Sequence, residues 1–189
     1  MTIRSVLAGG SVAVVAAAAL PAIAQAAPVV PKDAVLTAQE FPPGSHDYKT
    51  FPMTFPAVGT RPANSSRCAV KTHELQQRLA GSSAVEAEAW RGDTMYYASV
   101  FGRPVAEVLG EQNVACDMSP RERRVPAPAD LARVNPTAFR SGSQRIEATA
   151  ELHGVTVGVV GTSPDGKVLD TDTFWEILRA QVAKVERQP

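Results

Sequence analysis

Strict alternation of apolar and polar residues is the strongest constraint this chain places on its own fold. From Ile146 to Leu152 the order Ile-Glu-Ala-Thr-Ala-Glu-Leu puts Ile146, Ala148, Ala150 and Leu152 on one side of an extended strand. Glu147, Thr149, Glu151 and then His153 fall on the other side. Val155–Val160 follow, and a single strand from Arg145 to Val160 would far exceed the usual five or six residues, so His153-Gly154 is predicted to be a tight turn. The scheme occurs a second time. Val85-Glu86-Ala87-Glu88-Ala89 alternates, Arg91-Gly92-Asp93 supplies a turn, and Thr94–Phe101 is rich in aromatic and β-favouring residues. Four main strands result, with one wet face and one face that helices must cover. The predicted class is α+β: an antiparallel sheet of about four to six strands with helices packed on one face.

The covering helices can be located by their periodicity and caps. Val70, Leu75 and Leu79 recur among charged residues after Cys68, predicting a surface helix that Gly81 stops. Pro104 favours a helix start, and Val105, Val108 and Leu109 share a face, predicting a short helix as far as Gly110. Phe174, Ile177, Leu178, Val182 and Val185 mark a last helix to Arg187, with Thr173 and Glu176 at capping-box spacing. Thr37 and Glu40 have the same spacing and predict a short turn before Pro42-Pro43-Gly44. Prolines at 42, 43, 52, 56 and 62 leave room for at most a short edge strand around Tyr48–Met53. Prolines at 120, 126, 128 and 136 predict a long loop over Met118–Gln144, with one helical turn near Ala129–Arg133.

The N-terminal residues read as an export signal. Arg4 is the charged region, Val6–Leu20 the apolar core, and Pro21 precedes the small-x-small site Ala24-Gln25-Ala26, so cleavage is predicted after Ala26. That divides the chain into a signal peptide over 1–26, a flexible arm over 27–32 and a single domain over 33–189. The apolar run is shorter than the roughly 20 residues a spanning helix needs, and no cysteine precedes Cys68 to take a lipid, so no stable membrane anchor is expected. The mature chain of about 163 residues carries 18 basic and 19 acidic side chains. Such a balance argues against nucleic acid as a partner, since phosphate contacts require a basic face. In an oxidising compartment the two cysteines, Cys68 and Cys116, are expected to form a disulfide.

Several patterns resemble chemical motifs and stop short of them. Gly161-Thr162-Ser163-Pro164-Asp165-Gly166-Lys167 has P-loop spacing, but Val168 stands where a hydroxyl should hold magnesium, and Pro164-Asp165-Gly166 reads as a turn. His46, His73 and His153 lack zinc-site spacing, so no metal and no cofactor is expected. No serine sits in a nucleophile elbow, and no catalytic residue is assigned. Glu86, Glu88, Glu147 and Glu151 could pair as a glycoside-cleaving couple if their strands lie side by side, because a retaining mechanism needs carboxyl groups about 5 Å apart. Arg121, Arg123 and Arg124, with Arg133, Arg140 and Arg145, make the long loop basic against Asp117, Glu122 and Asp130, and offer contacts to an anion.

Ala34-Val35-Leu36-Thr37-Ala38-Gln39-Glu40-Phe41-Pro42-Pro43-Gly44, the cysteine before a helix, the Ala-x-Ala strand, Tyr96-Tyr97-Ala98-Ser99-Val100, Leu109 and Cys116 together resemble an uncharacterised family of exported actinobacterial domains. That family is similar to the extracellular sensor domain of actinobacterial serine/threonine kinases. The resemblance spans Asp33–Val185 and implies an α+β sandwich with a cleft for an unidentified ligand. The kinase domains carry two disulfides where this chain can form one, so cleft geometry does not carry over.

The function expected from these readings is that of a secreted, non-enzymatic binding or sensor-like domain. Its ligand would be a small molecule, lipid or envelope component, with Trp90, Tyr96 and Tyr97 lining the groove. The alternatives are an interaction protein docking through the basic loop and a carboxylate-dependent cell-wall hydrolase.

Overall fold

The computed structural model of the chain describes residues 27–60, 65–116, 122–164 and 167–188. The predicted signal peptide, Arg121 and Asp117 of the basic loop, and Asp165-Gly166 of the P-loop look-alike lie outside the described residues.

The two alternating segments fold as the hairpins their period demands. Ser83–Arg91 (β2) pairs antiparallel with Thr94–Phe101 (β3), and Gly92 turns between them at φ 58°. Arg145–Leu152 (β6) pairs with Val155–Thr162 (β7), with His153 at φ 50° and Gly154 at φ 77°. Two consecutive positive φ values are what a two-residue type I′ turn requires. β3 and β7 then pair antiparallel with each other, placing the two hairpins in one sheet.

The sheet is larger than the four to six strands expected. With His46–Thr54 (β1), Glu122–Arg124 (β4) and Thr137–Ser141 (β5), it has seven strands among the described residues, in the order β1-β2-β3-β7-β6-β5-β4, every neighbouring pair antiparallel. β4 and β5 correct the reading of 118–144 as loop: its prolines bound short strands instead of excluding them. β1 is longer than expected because it is an edge, where Pro52 can stand without breaking a central ladder.

One face of the sheet is a continuous apolar surface. Val85, Ala87 and Ala89 of β2, Tyr96, Ala98 and Val100 of β3, Val157 and Val159 of β7, and Ile146, Ala148 and Ala150 of β6 are all buried there. The amphipathic helix Thr171–Glu186 (α4) covers it with Phe174, Ile177, Leu178, Val182 and Val185, and the short helix Pro31–Ala34 (α1) packs beside α4. Val29 and Pro31 are buried, so packing begins within the segment expected to be an arm. Gln181, fully buried on α4, accepts a bond from the Leu36 amide (3.2 Å) and donates to the Ala34 carbonyl (2.7 Å), fastening this segment down.

The capping box at Thr37–Glu40 forms, its glutamate also meeting Lys184 at 2.5 Å. On α4 the cap is Asp170, one turn earlier than the expected Thr173. Its carboxylate accepts the Thr173 amide at 3.1 Å and the Thr173 hydroxyl at 2.6 Å, which makes Thr173 the third helical residue and removes it from the cap role.

The opposite face is not simply wet. Arg67–Leu79 (α2) and Ala106–Ala115 (α3) pack on one another, and α3 bonds to side chains of that face. The Val105 amide donates to Thr156 Oγ1 (2.7 Å), the Ala106 amide to Glu151 (2.8 Å), and Asn113 to Glu147 (2.9 Å). Helices therefore lie on both faces, against the expectation of one. α3 also runs through Gly110, where a stop was expected, since an interior glycine weakens a helix by about 1 kcal/mol without ending it.

Candidate functional site

The structure distributes the sequence candidates unevenly. Cys68 and Cys116 form a disulfide (S–S 2.07 Å) joining the N-terminal end of α2 to the C-terminal end of α3. Trp90 and Tyr97 are half-buried on the α3 side of the sheet. Tyr96 lies on the other face, 1% exposed, and cannot line a groove with them. Its ring rests on Gly161, where an added Cβ would come within 3.1 Å, and its hydroxyl donates to the Asp170 carbonyl at 2.8 Å. Burial first, and the Asp170 charge second, push the Tyr96 phenol up to about 12.

The carboxylates do not form a cross-strand pair. β3 and β7 lie between β2 and β6, so Glu86 and Glu88 face Ser99 and Tyr97 and do not meet Glu147 or Glu151. Each of three has a structural partner: Glu88 meets Lys49 (3.3 Å), Glu147 meets Arg145 (2.8 Å) and Asn113, and Glu151 holds the start of α3. Glu86 is the exception in electrostatics. Burial, followed by the charge of Glu88 on the same strand face, raises its pKa, and the same two glutamates join burial in raising that of Tyr97.

Two of the five described arginines of the basic loop, Arg133 and Arg145, are paired with carboxylates. Arg133 forks onto Glu186 (both bonds 2.9 Å), Arg140 donates to Thr171, and Arg145 pairs with Glu147. The Arg133 fork holds the Glu186 carboxyl below its ordinary range. Arg123 and Arg124, the described members of the expected anion contact, are exposed on β4. Arg91 of the Arg-Gly-Asp turn is drawn to Asp170 (2.9 Å) and Thr173, and Asp93 pairs with Lys167 (2.8 Å). No helix opens directly after Lys167, since α4 begins at Thr171, so the P-loop geometry is not formed. Among the described residues no group of three His, Cys, Asp or Glu is placed to hold a metal ion.

The geometry assembles a concavity that sequence reasoning missed. A groove of about 780 Å³ runs between α3 and the β5-β6 side of the sheet. Ala106, Glu107, Gly110, Glu111 and Val114 of α3 line it, opposite Arg133, Val134 and Asn135 at the end of the 3-10 helix Ala129–Val134. Thr137 and Phe139 of β5 and Thr149, Ala150 and Glu151 of β6 complete the lining, with Arg67 and Lys71 of α2 on the rim. Val114, Val134 and Phe139 supply its large apolar side chains, and Gly110 contributes bare backbone. Of its two rim cations Lys71 is braced, bonding Glu111 and Glu74 at 2.7 Å each, which raises its pKa. Two signals in the sequence pointed here, a glycine inside an otherwise helical stretch and a phenylalanine inside an apparent loop.

No family model matches the chain, and no curated protein matches it. A solved structure similar to it is that of an uncharacterised protein from Mycobacterium smegmatis, with TM-score 0.46 and 13% identity, covering 78% of this chain and 92% of that one.

Proposed function

We propose that this chain is an exported, non-enzymatic binding domain of the sensor-like kind, and that its ligand lies in the groove between α3 and the β5-β6 side of the sheet. The groove itself is the observation that carries this reading. Its volume of about 780 Å³ falls within the few hundred to 1,000 Å³ typical of ligand sites, and it combines an apolar floor with a few polar groups, Thr137, Thr149 and Asn135, able to orient a guest. The disulfide is compatible with an extracytoplasmic location, and no described helix is long and apolar enough to cross a membrane. Docking through the basic loop is less well supported, because Arg133, Arg140 and Arg145 have internal partners and, of the expected anion contacts, the described exposed members are Arg123 and Arg124 on the short strand β4.

Untargeted mass spectrometry of small molecules co-purifying with the protein beginning at Ala27 tests the proposal. A retained compound that protects the α3 and β5 amides from hydrogen exchange is the expected result. A compound that protects only other regions would refute the assignment of the site.

A further inference from the structure

The two faces of the sheet are covered by different chemistry. α4 buries eight residues, among them Phe174, Ile177, Leu178 and Val182, on the first face. On the second face α2 buries Leu79 alone of its 13 residues, and α3 buries none of its 10. Val108 and Leu109, the apolar pair of α3, are half-buried. The bonds that join α3 to the sheet are polar: those to Thr156 and Glu151 at its start and, at its other end, Asn113 Nδ2 donating to Glu147. Most helical stability in proteins comes from packing an apolar face, and both helices have little of that support.

The attachments are also placed like those of a flap. At one end the chain is pinned to the sheet, with Leu79 and Val105 buried. There the Gly81 amide donates to the Phe55 carbonyl (2.7 Å), and the Gly102 amide donates to the Ser83 carbonyl (2.9 Å), joining the exit of α2 to the approach of α3. At the other end the helices hold each other, through the Cys68–Cys116 disulfide and the Lys71–Glu111 bridge (2.7 Å). Asn113 latches that end to Glu147 at 2.9 Å, a bond between two half-buried side chains. From Ala106 to Asn113 α3 rises about 10 Å, and from Glu151 to Glu147 β6 runs about 14 Å. α3 therefore lies along β6, as a wall of the groove.

We propose that α2 and α3 form a flap, hinged at Ser83 and Gly102 and latched by Asn113, that undocks from the sheet as one unit while the sheet and α4 stay folded. Undocking removes one wall of the groove, whether or not a ligand occupies it. Isolated helices below about 12–15 residues are marginal in water, and Gly110 weakens α3 further, so the undocked helices fray and amide exchange reads the motion directly. The test is native-state hydrogen exchange of the disulfide-intact protein beginning at Ala27, in rising urea. Amides of α2 and α3 are expected to share one opening of weak urea dependence. Relative to free-peptide rates they should exchange about tenfold or more faster than amides of β3, β7 and α4, which open with the whole domain. Asn113→Ala should speed exchange in both helices about fourfold and leave β3 and β7 as they were, the lost bond being offset in part by alanine's higher helix propensity. That propensity fixes the sign, because faster exchange then cannot come from a weaker α3. Equal speeding in α2 is the mark of one body, since the substitution lies on α3. If α2 and α3 exchange as slowly as β3 and β7, no flap exists. If the substitution speeds α3 alone, speeds the whole domain equally or changes nothing, the two helices are not a latched unit and the flap is refuted.

Discussion

Gln181 offers a sharp test of how the N-terminal segment is held. Its amide spans two backbone groups that are themselves buried, the Leu36 N–H and the Ala34 carbonyl, with Leu36 1% and Ala34 0% exposed. Replacing it by leucine keeps the volume close and removes both bonds, so a cavity term does not confuse the result. Each stranded buried group costs about 1–3 kcal/mol. Two would cost about 2–6, but undocking of residues 27–36 limits the loss, and Gln181→Leu should destabilise by about 2–4 kcal/mol. For a domain of this size that lowers Tm by about 4–16 °C. Guanidinium unfolding followed by fluorescence gives the global value, and native-state hydrogen exchange of the Leu36 amide gives the local one. Gln181→Glu adds a sign check. The carboxylate can accept from Leu36 but donates to Ala34 only when protonated, so its burial raises its pKa and stability should fall as pH rises. A Gln181→Leu protein within 0.5 kcal/mol of the parent, or one in which Leu36 exchanges as slowly as before, would refute the account.

Three further expectations follow from other contacts. Replacing Cys68 and Cys116 by alanine opens a loop with a sequence separation of 48 and should cost about 4 kcal/mol on the chain-entropy model, measured by urea unfolding; a loss below 1 kcal/mol would contradict it. Asp170→Ala removes the α4 cap, at about 1 kcal/mol. The Thr173 bonds hold Asp170 below its ordinary range. The stability it contributes is therefore present above the unfolded pKa and lost as pH falls through the folded one, and the variant should show a shallower acid transition. Glu86 is the opposite case. Its raised pKa means that its ionised form opposes folding, so Glu86→Gln should stabilise at neutral pH by up to about 1 kcal/mol, with solvent screening, and by nothing once the glutamate is protonated. Equal stabilisation at both pH values would show that charge is not the cause.

The hairpins were legible because burial on one face forces a period of two, and the His153-Gly154 turn followed from strand length alone. The same period already separates Tyr96 from Tyr97. Grouping them with Trp90 as groove-lining residues overlooked it, and the structure puts Tyr96 in the core. Helices on both faces were harder to see for a chemical reason. Glu147, Glu151 and Thr156 read as solvent-facing, yet they receive bonds from α3, and a polar side chain in a strand looks the same whether water or a helix end completes it. β4 and β5 escaped because three- and five-residue strands between prolines carry too little pattern. The groove could not be assembled from the sequence for a related reason: Gly110 and Phe139 each stood out locally, but its walls come from α3, a 3-10 helix and β5, which only tertiary packing brings together.

The strand order has a consequence for how the chain assembles. β1-β2-β3 and β7-β6-β5-β4 are two meanders in which every joint connects consecutive strands. The one joint between distant parts of the chain is the β3-β7 seam, which sets Phe101 against Thr156 and Met95 against Thr162. Loop-closure entropy is therefore concentrated on a single zipper of main-chain bonds, while both halves gather locally. The disulfide ties α2, which lies between β1 and β2, to the C-terminal end of α3 in the connection leaving β3, and so fastens to the first meander the helix whose bonds reach Glu147 and Glu151 of β6 in the second.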